Sequence, residues 1–224
     1  MKTLIIGGNG KIGKRLVQRC VDAGLDIRVM VRDLGQIEQF VSLGVEAVFG
    51  DLEGNISDAI SGCEQVVFSA GSGAKSSPHK TLLVDLWGSI RVIEESEKQG
   101  IKHFIMVSSL KADAPLRGPE RIRHYLVARN LADEKLCTST LNYTLLRPGR
   151  LLDTEATGLV TGKFDWGDSN NAQSCIARED VVELILQCLS NPDLPAQRRT
   201  IDVINGDYPI REFLQDQYST EMIA

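Results

Sequence analysis

The stretch Leu4-Ile5-Ile6-Gly7-Gly8-Asn9-Gly10-Lys11-Ile12-Gly13 constrains the fold more than any other part of the chain. An apolar run long enough for one buried strand breaks into glycines, and a helical pattern starts at Lys11. Glycine supplies the backbone freedom and close approach that such a turn needs. A helix beginning there directs free backbone N–H groups and the positive end of its dipole at the turn, a setting suited to a pyrophosphate. Two spacings overlap: Gly8, Gly10 and Gly13 fit G-x-G-x-x-G, and Gly7, Gly10 and Gly13 fit a G-x-x-G-x-x-G variant. Neither is specific alone, because tight turns take glycine for ordinary reasons; the strand before and the helix after give the match its weight.

From Lys11 to Ala23, Ile12, Leu16, Val17, Cys20 and Val21 recur at helical spacing, and Gly24 follows as a C-terminal cap. Strands are predicted at 27–31, 45–49, 65–69, 103–107 and 143–146, alternating with helices near 36–43, 56–61, 80–99 and 117–138. In the helix over 80–99, Leu82, Leu83, Leu86, Ile90 and Ile93 form the expected apolar face. This alternation predicts an α/β fold, a doubly wound parallel sheet of Rossmann type, because right-handed crossovers place helices on both faces. After Pro148 the rhythm changes to turn-rich sequence with short strands expected at 159–164 and 174–177, a helix at 179–189, a strand at 200–204 and a last helix from about Pro209. Residues 1–224 read as a single domain in which 150–224 contribute the substrate side, with 191–195 a surface loop.

A net charge of −5 without a Lys/Arg cluster argues against nucleic acid as a partner. Cys20, Cys63, Cys137, Cys175 and Cys188 are odd in number and lack C-x-x-C spacing, which fits reduced thiols and no metal site. The apolar run before the glycines is too short for a signal-peptide core, and no later stretch approaches membrane-spanning length. A cytoplasmic protein with no membrane association and a small-molecule substrate is expected; the sequence leaves the oligomeric state open.

Ligands of such sheets lie beyond the carboxyl ends of the strands. Gathered there are Gly7 to Gly13, Arg32, Asp51, Ala70 to Gly73, Ser108-Ser109 and Pro148-Gly149. Arg32 stands nineteen residues after Gly13 at the end of the second strand. A guanidinium there pairs with a ribose 2′-phosphate, helped by Lys11, which favours NADP(H) over NAD(H). Asp33 is the competing signal, since a carboxylate in this turn accepts from a free 2′-hydroxyl; a solvated arginine is the plainer alternative. Asp51 and Leu52 suit an adenine amino group and ring, or else an ordinary helix cap. Tyr125 follows Ser109 by sixteen residues, and Arg129 lies four residues further on the same helix face. A serine that holds a carbonyl and a phenol whose ionised form a neighbouring cation favours make a proton relay; otherwise the serines cap and Tyr125 packs. His79, His124, Lys80, Trp87 and Trp166 read as surface or packing residues.

These residues resemble the short-chain dehydrogenase/reductase superfamily, in particular its atypical single-domain NAD(P)-binding members related to flavin/biliverdin reductases and to NAD-dependent epimerase/dehydratase-like proteins. The resemblance runs from Gly7-Gly8-Asn9-Gly10-Lys11-Ile12-Gly13 through Val31-Arg32-Asp33, Gly50-Asp51-Leu52, Val107-Ser108-Ser109 and Tyr125-Leu126-Val127-Ala128-Arg129 to Tyr143-Thr144-Leu145-Leu146-Arg147-Pro148-Gly149. It implies that the glycine turn, with Gly7, Gly10, Lys11, Ile12 and Gly13, holds pyrophosphate, Arg32 the 2′-phosphate, Asp51 and Leu52 the adenine, and Ala70, Gly71 and Ser72 the adjoining ribose. Pro148 and Gly149 would lie near the nicotinamide, with Ser108, Ser109, Tyr125 and Arg129 as the catalytic set. The family pattern is Tyr-x-x-x-Lys, and Arg129 stands where the lysine belongs, with a different reach and geometry. The expected activity is an NADP(H)-dependent oxidoreductase acting on a small carbonyl, quinone or flavin-like compound. A non-catalytic NADP(H)-binding sensor and an epimerase or dehydratase are the alternatives.

Overall fold

Four buried residues form β1 (Thr3–Ile6), from which the chain passes through the glycine turn into α1 (Lys11–Asp22) and returns as β2 (Ile27–Val31). A short 3₁₀ turn leads to α2 (Ile37–Val41), β3 (Glu46–Phe49), α3 (Ser57–Ile60) and β4 (Gln65–Phe68). Next come α4 (Pro78–Lys80), a π-helical stretch (Thr81–Gly88), α5 (Ser89–Lys98) and β5 (His103–Val107). After two 3₁₀ turns, α6 (Arg123–Thr138) precedes β6 (Tyr143–Pro148), β7 (Arg150–Leu152), β8 (Leu159–Thr161) and β9 (Cys175–Ala177). The chain closes with α7 (Arg178–Ser190), β10 (Arg199–Asn205), β11 (Tyr208–Pro209) and α8 (Ile210–Ser219). This computed structural model describes residues 1–73, 77–162, 174–191 and 198–219; Trp166, residues 163–164 of the strand expected over 159–164, and residues 192–195 of the loop expected over 191–195 lie outside them.

The nine-stranded sheet has the order β11-β8-β10-β6-β5-β4-β1-β2-β3, and β7 pairs with β9 in a small second sheet. From β10 to β3 every neighbour is parallel; only β8 and β11 pair antiparallel at one edge. The fold is thus the mostly parallel, Rossmann-like α/β sheet that the alternation predicts. Chain direction across the sheet reverses at β1, which has β2 on one side and β4 on the other. A crevice opens at such a reversal, beyond the carboxyl ends of β1 and β4.

Alternate strand residues enter opposite cores, as pleating requires. Ile5, Val29, Val67, Ile105 and Leu146 pack with Leu16 and Val17 of α1 and with Val181 and Ile185 of α7. Leu4, Ile6, Val66, Phe68, Phe104, Met106 and Leu145 pack on the other face with Ile60, Ile93, Ala132 and Leu136.

The structure corrects several expected elements. The helix anticipated over 80–99 is interrupted by the π-helical turns, and these rotate its faces: Leu82 and Leu83 are exposed, at 56% and 37%, whereas Thr81, Val84, Asp85, Gly88 and Ser89 are buried. Trp87, expected to pack, is also exposed. The helix anticipated from 117 begins only at Arg123, because Gly118 is extended and Pro119 offers no backbone donor. β6 runs two residues further than expected, and β7 and β11 were not anticipated.

Candidate functional site

At the start of α1, Gly10 caps the helix without a side-chain acceptor, and the first turn contains no acidic residue. The orphan amides of that turn are therefore left without a side-chain partner. The turn folds on itself through Gly10 N–H donating to the Gly7 carbonyl at 2.9 Å. Each glycine is bare for its own reason. Gly7 has φ +94°, and a Cβ there would come within 2.6 Å of Ala70 N; a Cβ at Gly13 would overlap the Gly7 carbonyl oxygen and Gly8 Cα. At Gly8 it would run into the Val29 side chain, whereas at Gly10, which is exposed, it would meet only the Gly7 carbonyl oxygen at 3.1 Å. Packing of β1, β2, β4 and α1 thus accounts for Gly7, Gly8 and Gly13. Gly10 keeps the open face of the cradle clear, which fits a phosphate group resting on the helix N-terminus.

Arg32 follows β2 with its side chain exposed and without a hydrogen-bond or ion-pair partner among the described residues. Asp33 is engaged elsewhere: its Oδ1 accepts from Gly35 N–H at 2.9 Å and caps the 3₁₀ turn. Lys11, expected to assist Arg32, is paired with Asp153 beyond β7, and Arg15 and Arg178 converge on the same carboxylate. These cations hold Asp153 below the ordinary carboxylate range, the Lys11 hydrogen bond foremost. Exposed pairs of this kind are weakly held, because solvent screens both charges. Asp51 Oδ1 accepts from Glu53 N–H at 2.9 Å in a local turn. Leu52 is buried beside Gly88, and Arg91 donates to its carbonyl at 2.7 Å.

Ala70, Gly71 and Ser72 leave β4, on the opposite side of β1 from Arg32 and Asp51. The loop expected against the adenine-side ribose therefore stands on the other flank of the crevice. It is fastened from below. Asp85, fully buried on the π-helical stretch, accepts from Ser72 N–H through Oδ2 at 3.1 Å and from Arg129 Nη2 through Oδ1 at 2.9 Å. The same Nη2 donates to the Ala70 carbonyl at 2.9 Å. Arg129 Nε donates to the Tyr125 hydroxyl at 3.2 Å, and the guanidinium lies 5.3 Å from the centroid of that ring. Burial opposes the charge on Arg129, but Tyr125, Asp85 and Asp133 more than offset it and raise its pKa. Nη1 is buried with no partner.

Ser108 and Ser109 end β5, and no hydrogen bond joins either to Tyr125 among the described residues. Ser109 Oγ donates to the Leu110 carbonyl at 3.3 Å, and the buried Ser108 Oγ makes no hydrogen bond of good geometry, although it lies close enough to Asp133 to favour the carboxylate. Asp133 is pushed up by burial, and Arg147 holds it through Nε at 2.8 Å. Asp202, paired in register with Arg147 on β10, is pushed up to about 6 by burial, with Asp113 and Asp133 adding to the shift and Arg147 opposing it. Pro148 and Gly149 are tied to both neighbours: Leu110 N–H donates to the Pro148 carbonyl, and Gly149 N–H to that of Val203, each at 2.9 Å. His79 and His124 are exposed.

Sequence reasoning missed Asp85, Asp133, Asp153 and Asp202. Asp85 had a visible signal, a lone acid within Leu82-Leu83-Val84-Asp85-Leu86. The other three carry none in their spacing, because their partners come from distant elements. Among the described residues no cluster of three or more His, Cys, Asp or Glu side chains is placed to hold a metal ion, and no helix is long and apolar enough to cross a membrane.

Residues 7–192 match the family model described as NAD(P)H-binding. A Bacillus subtilis protein named uncharacterized sugar epimerase YhfK is 39% identical, over 96% of this chain and 99% of its own length. A solved structure from Bacillus halodurans, a putative NAD-dependent epimerase/dehydratase, is also 39% identical, with a TM-score of 0.87 over 96% of this chain and 99% of that one. The oxidoreductase ylbE from Lactococcus lactis is 27% identical, with a TM-score of 0.83 over the whole of both chains.

Proposed function

The chain belongs to the NAD(P)H-binding family, and from that membership we propose that it is an NADP(H)-dependent oxidoreductase for a small carbonyl, quinone or flavin-like compound. When bound, the cofactor supplies or accepts hydride. In this reading the amides of α1 and the bare face of Gly10 carry the pyrophosphate, and Arg32, with Lys11, carries the 2′-phosphate. The observation that carries the preference is the pair Arg32 and Asp33: the guanidinium is exposed and uncommitted, while Oδ1 of the one carboxylate in the turn already accepts from Gly35 N–H. Asp51 then serves the adenine. The Ala70–Ser72 loop serves the nicotinamide-side ribose, because β4 lies across β1 from the adenine side.

The proton that accompanies hydride to a substrate oxygen comes from Tyr125 or from solvent. Tyr125 is half-buried near the start of α6, where Arg129 Nε donates to its oxygen and fixes the orientation of the phenol. In this reading Ser108 and Ser109, which follow β5, orient the acceptor. The Bacillus names favour an epimerase instead, and transient hydride transfer on a sugar is the second reading. Fluorescence titration with NADPH and NADH tests the common premise: tighter binding of NADPH is expected, and binding of neither overturns both readings. NADPH oxidation with quinones, flavins and aldehydes then separates the reductase from an epimerase or a non-catalytic sensor. Under the reductase reading, Tyr125→Phe slows turnover at least tenfold; unchanged turnover would remove Tyr125 from the reaction.

A further inference from the structure

In the resembling family the residue four positions after the tyrosine is a lysine that reaches the nicotinamide ribose. Arg129 occupies that position here but is committed inward. Its Nη2 is shared between Asp85 Oδ1 and the Ala70 carbonyl, its Nε goes to Tyr125, and its side chain is only 4% exposed. The other oxygen of Asp85 takes the amide of Ser72, so the buried carboxylate holds one end of the loop that leaves β4 directly and the other through Arg129.

The π-helical turns make this possible. A π turn shifts the side-chain register relative to an α-helix, and such segments frequently occur at functional sites. Here the shift puts Asp85 inward and two leucines outward. Ser89 Oγ donates to the Asp85 carbonyl at 2.7 Å, so the backbone at the shift is also satisfied. Gly71 completes the fit, because a Cβ there would press on Asp85 Oδ1 at 3.0 Å and on Arg129 Nη2 at 3.1 Å.

We propose that Asp85 is a positioning residue: by binding the Ser72 amide and Arg129 together it sets the Ala70–Ser72 loop against the nicotinamide half of the cofactor, and Arg129 acts as a buried strut rather than as a ribose ligand. This rests on the assignment of NADP(H) to the crevice and of the loop to its nicotinamide side. The substitution of lysine by arginine is then paired with the acid that fixes it. The strut also carries Tyr125, so loop and phenol move as one unit.

The test is calorimetric binding of NADPH and of 2′,5′-ADP, a fragment that reaches only the adenosine half, to the full chain. Asp85→Asn keeps the size of the side chain but presents an amide donor to either Ser72 N–H or Arg129, so one of the two bonds must fail. A charge-assisted hydrogen bond of this kind corresponds to roughly a tenfold to hundredfold change. Asp85→Asn is therefore expected to weaken NADPH by about tenfold or more and to leave 2′,5′-ADP within about twofold. Arg129→Met should give the same selective loss, and the double variant no more than the larger single loss, because the pair works as a unit. Gly71→Ala alters no charge and sits on an exposed loop; it should give a smaller loss of the same kind, which keeps the test open if the buried variants fail to fold. Equal weakening of both ligands, no change in NADPH binding, or additive losses in the double variant would each overturn the proposal while leaving the cofactor assignment intact. Failure of the unaltered chain to bind either ligand would overturn the cofactor assignment, and this proposal with it.

Discussion

The two halves of the crevice are built from different materials. On the β1–β3 side the candidate contacts are backbone amides, bare glycines and an exposed arginine. On the β4–β10 side they are buried side chains that hold one another. Every buried Asp, His or Arg among the described residues, namely Asp85, His103, Arg129, Asp133 and Asp180, lies beyond Gln65. A half made of backbone tolerates changes of side chain but not of shape. A half made of buried charges tolerates neither the loss of a partner nor an unpaired proton, because the desolvation cost of each charge is offset only by its neighbour.

The largest effect should come from breaking one of those charges away from its partner. Arg147→Met leaves Asp133 buried with its main counterion gone, and loss of one member of a buried pair costs about 3–5 kcal/mol. Urea unfolding should show a loss of that size, and Asp133→Leu added to Arg147→Met should regain much of it. If Arg147→Met changes stability by less than about 1 kcal/mol, the pair is not the keystone of this half.

Next in size is a pH dependence that the same half should carry. His103, buried with Nε2 against Thr144 Oγ1 at 2.9 Å, is lowered by burial from the usual 6.5 to about 4. As pH falls below 6.5 the unfolded chain takes the proton first, so stability is lost progressively between about 6.5 and 4, on the order of 3 kcal/mol in all. Asp202 works in the opposite direction. Its folded value, raised to about 6, keeps a proton that the unfolded chain releases, so its contribution is lost as pH rises from about 4 to 6. The two slopes partly cancel in the unaltered protein. Asp202→Asn should uncover the His103 slope, and stability of that variant against urea should fall steadily on acidification from pH 6.5 to 4. A flat profile would contradict the burial assigned to His103.

The backbone half makes a sharper prediction about shape. A Cβ at Gly13 overlaps backbone atoms of Gly7 and Gly8, which cannot move aside as a side chain can. Gly13→Ala should weaken NADPH by about a hundredfold, equivalent to about 2.7 kcal/mol. Gly10→Ala meets only the Gly7 carbonyl oxygen, at 3.1 Å, and should fold with a loss of stability of about 1 kcal/mol, that of a poorer N-cap, while still weakening NADPH, because its methyl group enters the face proposed for the phosphate. Equal NADPH affinity in Gly10→Ala and the unaltered chain would remove the cradle from the cofactor site.

The contrast also explains what was legible in the sequence. The strand-turn-helix at 4–13 is a local structure, and glycine leaves its mark on every close approach, so the turn and the α/β rhythm could be read directly. Arg32 was legible from its distance along the chain, although the role of Asp33 as a cap was not, because that depends on where its carboxylate turns. On the other half, Tyr125 and Arg129 were found by their four-residue spacing, but the partner that fixes them is forty-four residues away from Arg129 on a π turn that helical periodicity cannot anticipate. The apolar residues read as the inner face of that helix include two that point to solvent. Asp133, Arg147 and Asp202 come from three elements joined only by the sheet order. Local backbone chemistry writes itself into sequence; a side-chain network is visible only when the topology has closed it.

The smallest expected effect tests the side chain that would set the nucleotide preference of the backbone half. Arg32 is exposed, so its removal should leave stability within about 0.5 kcal/mol, as for most surface substitutions without partners. A solvent-accessible guanidinium on a phosphate is worth about one order of magnitude, so Arg32→Ala should weaken NADPH by about tenfold and NADH by less than twofold. Lys11→Ala should add a further loss for NADPH only if the phosphate draws Lys11 from Asp153; Asp153→Asn, which releases Lys11 in advance, should then strengthen NADPH slightly. A preference for NADPH that survives Arg32→Ala would move the recognition of the 2′-phosphate to another residue. Loss of both nucleotides together would mean that Arg32 supports the fold of the turn rather than reading the ribose, and the nucleotide half would then depend on a side chain for its shape as much as the other half does.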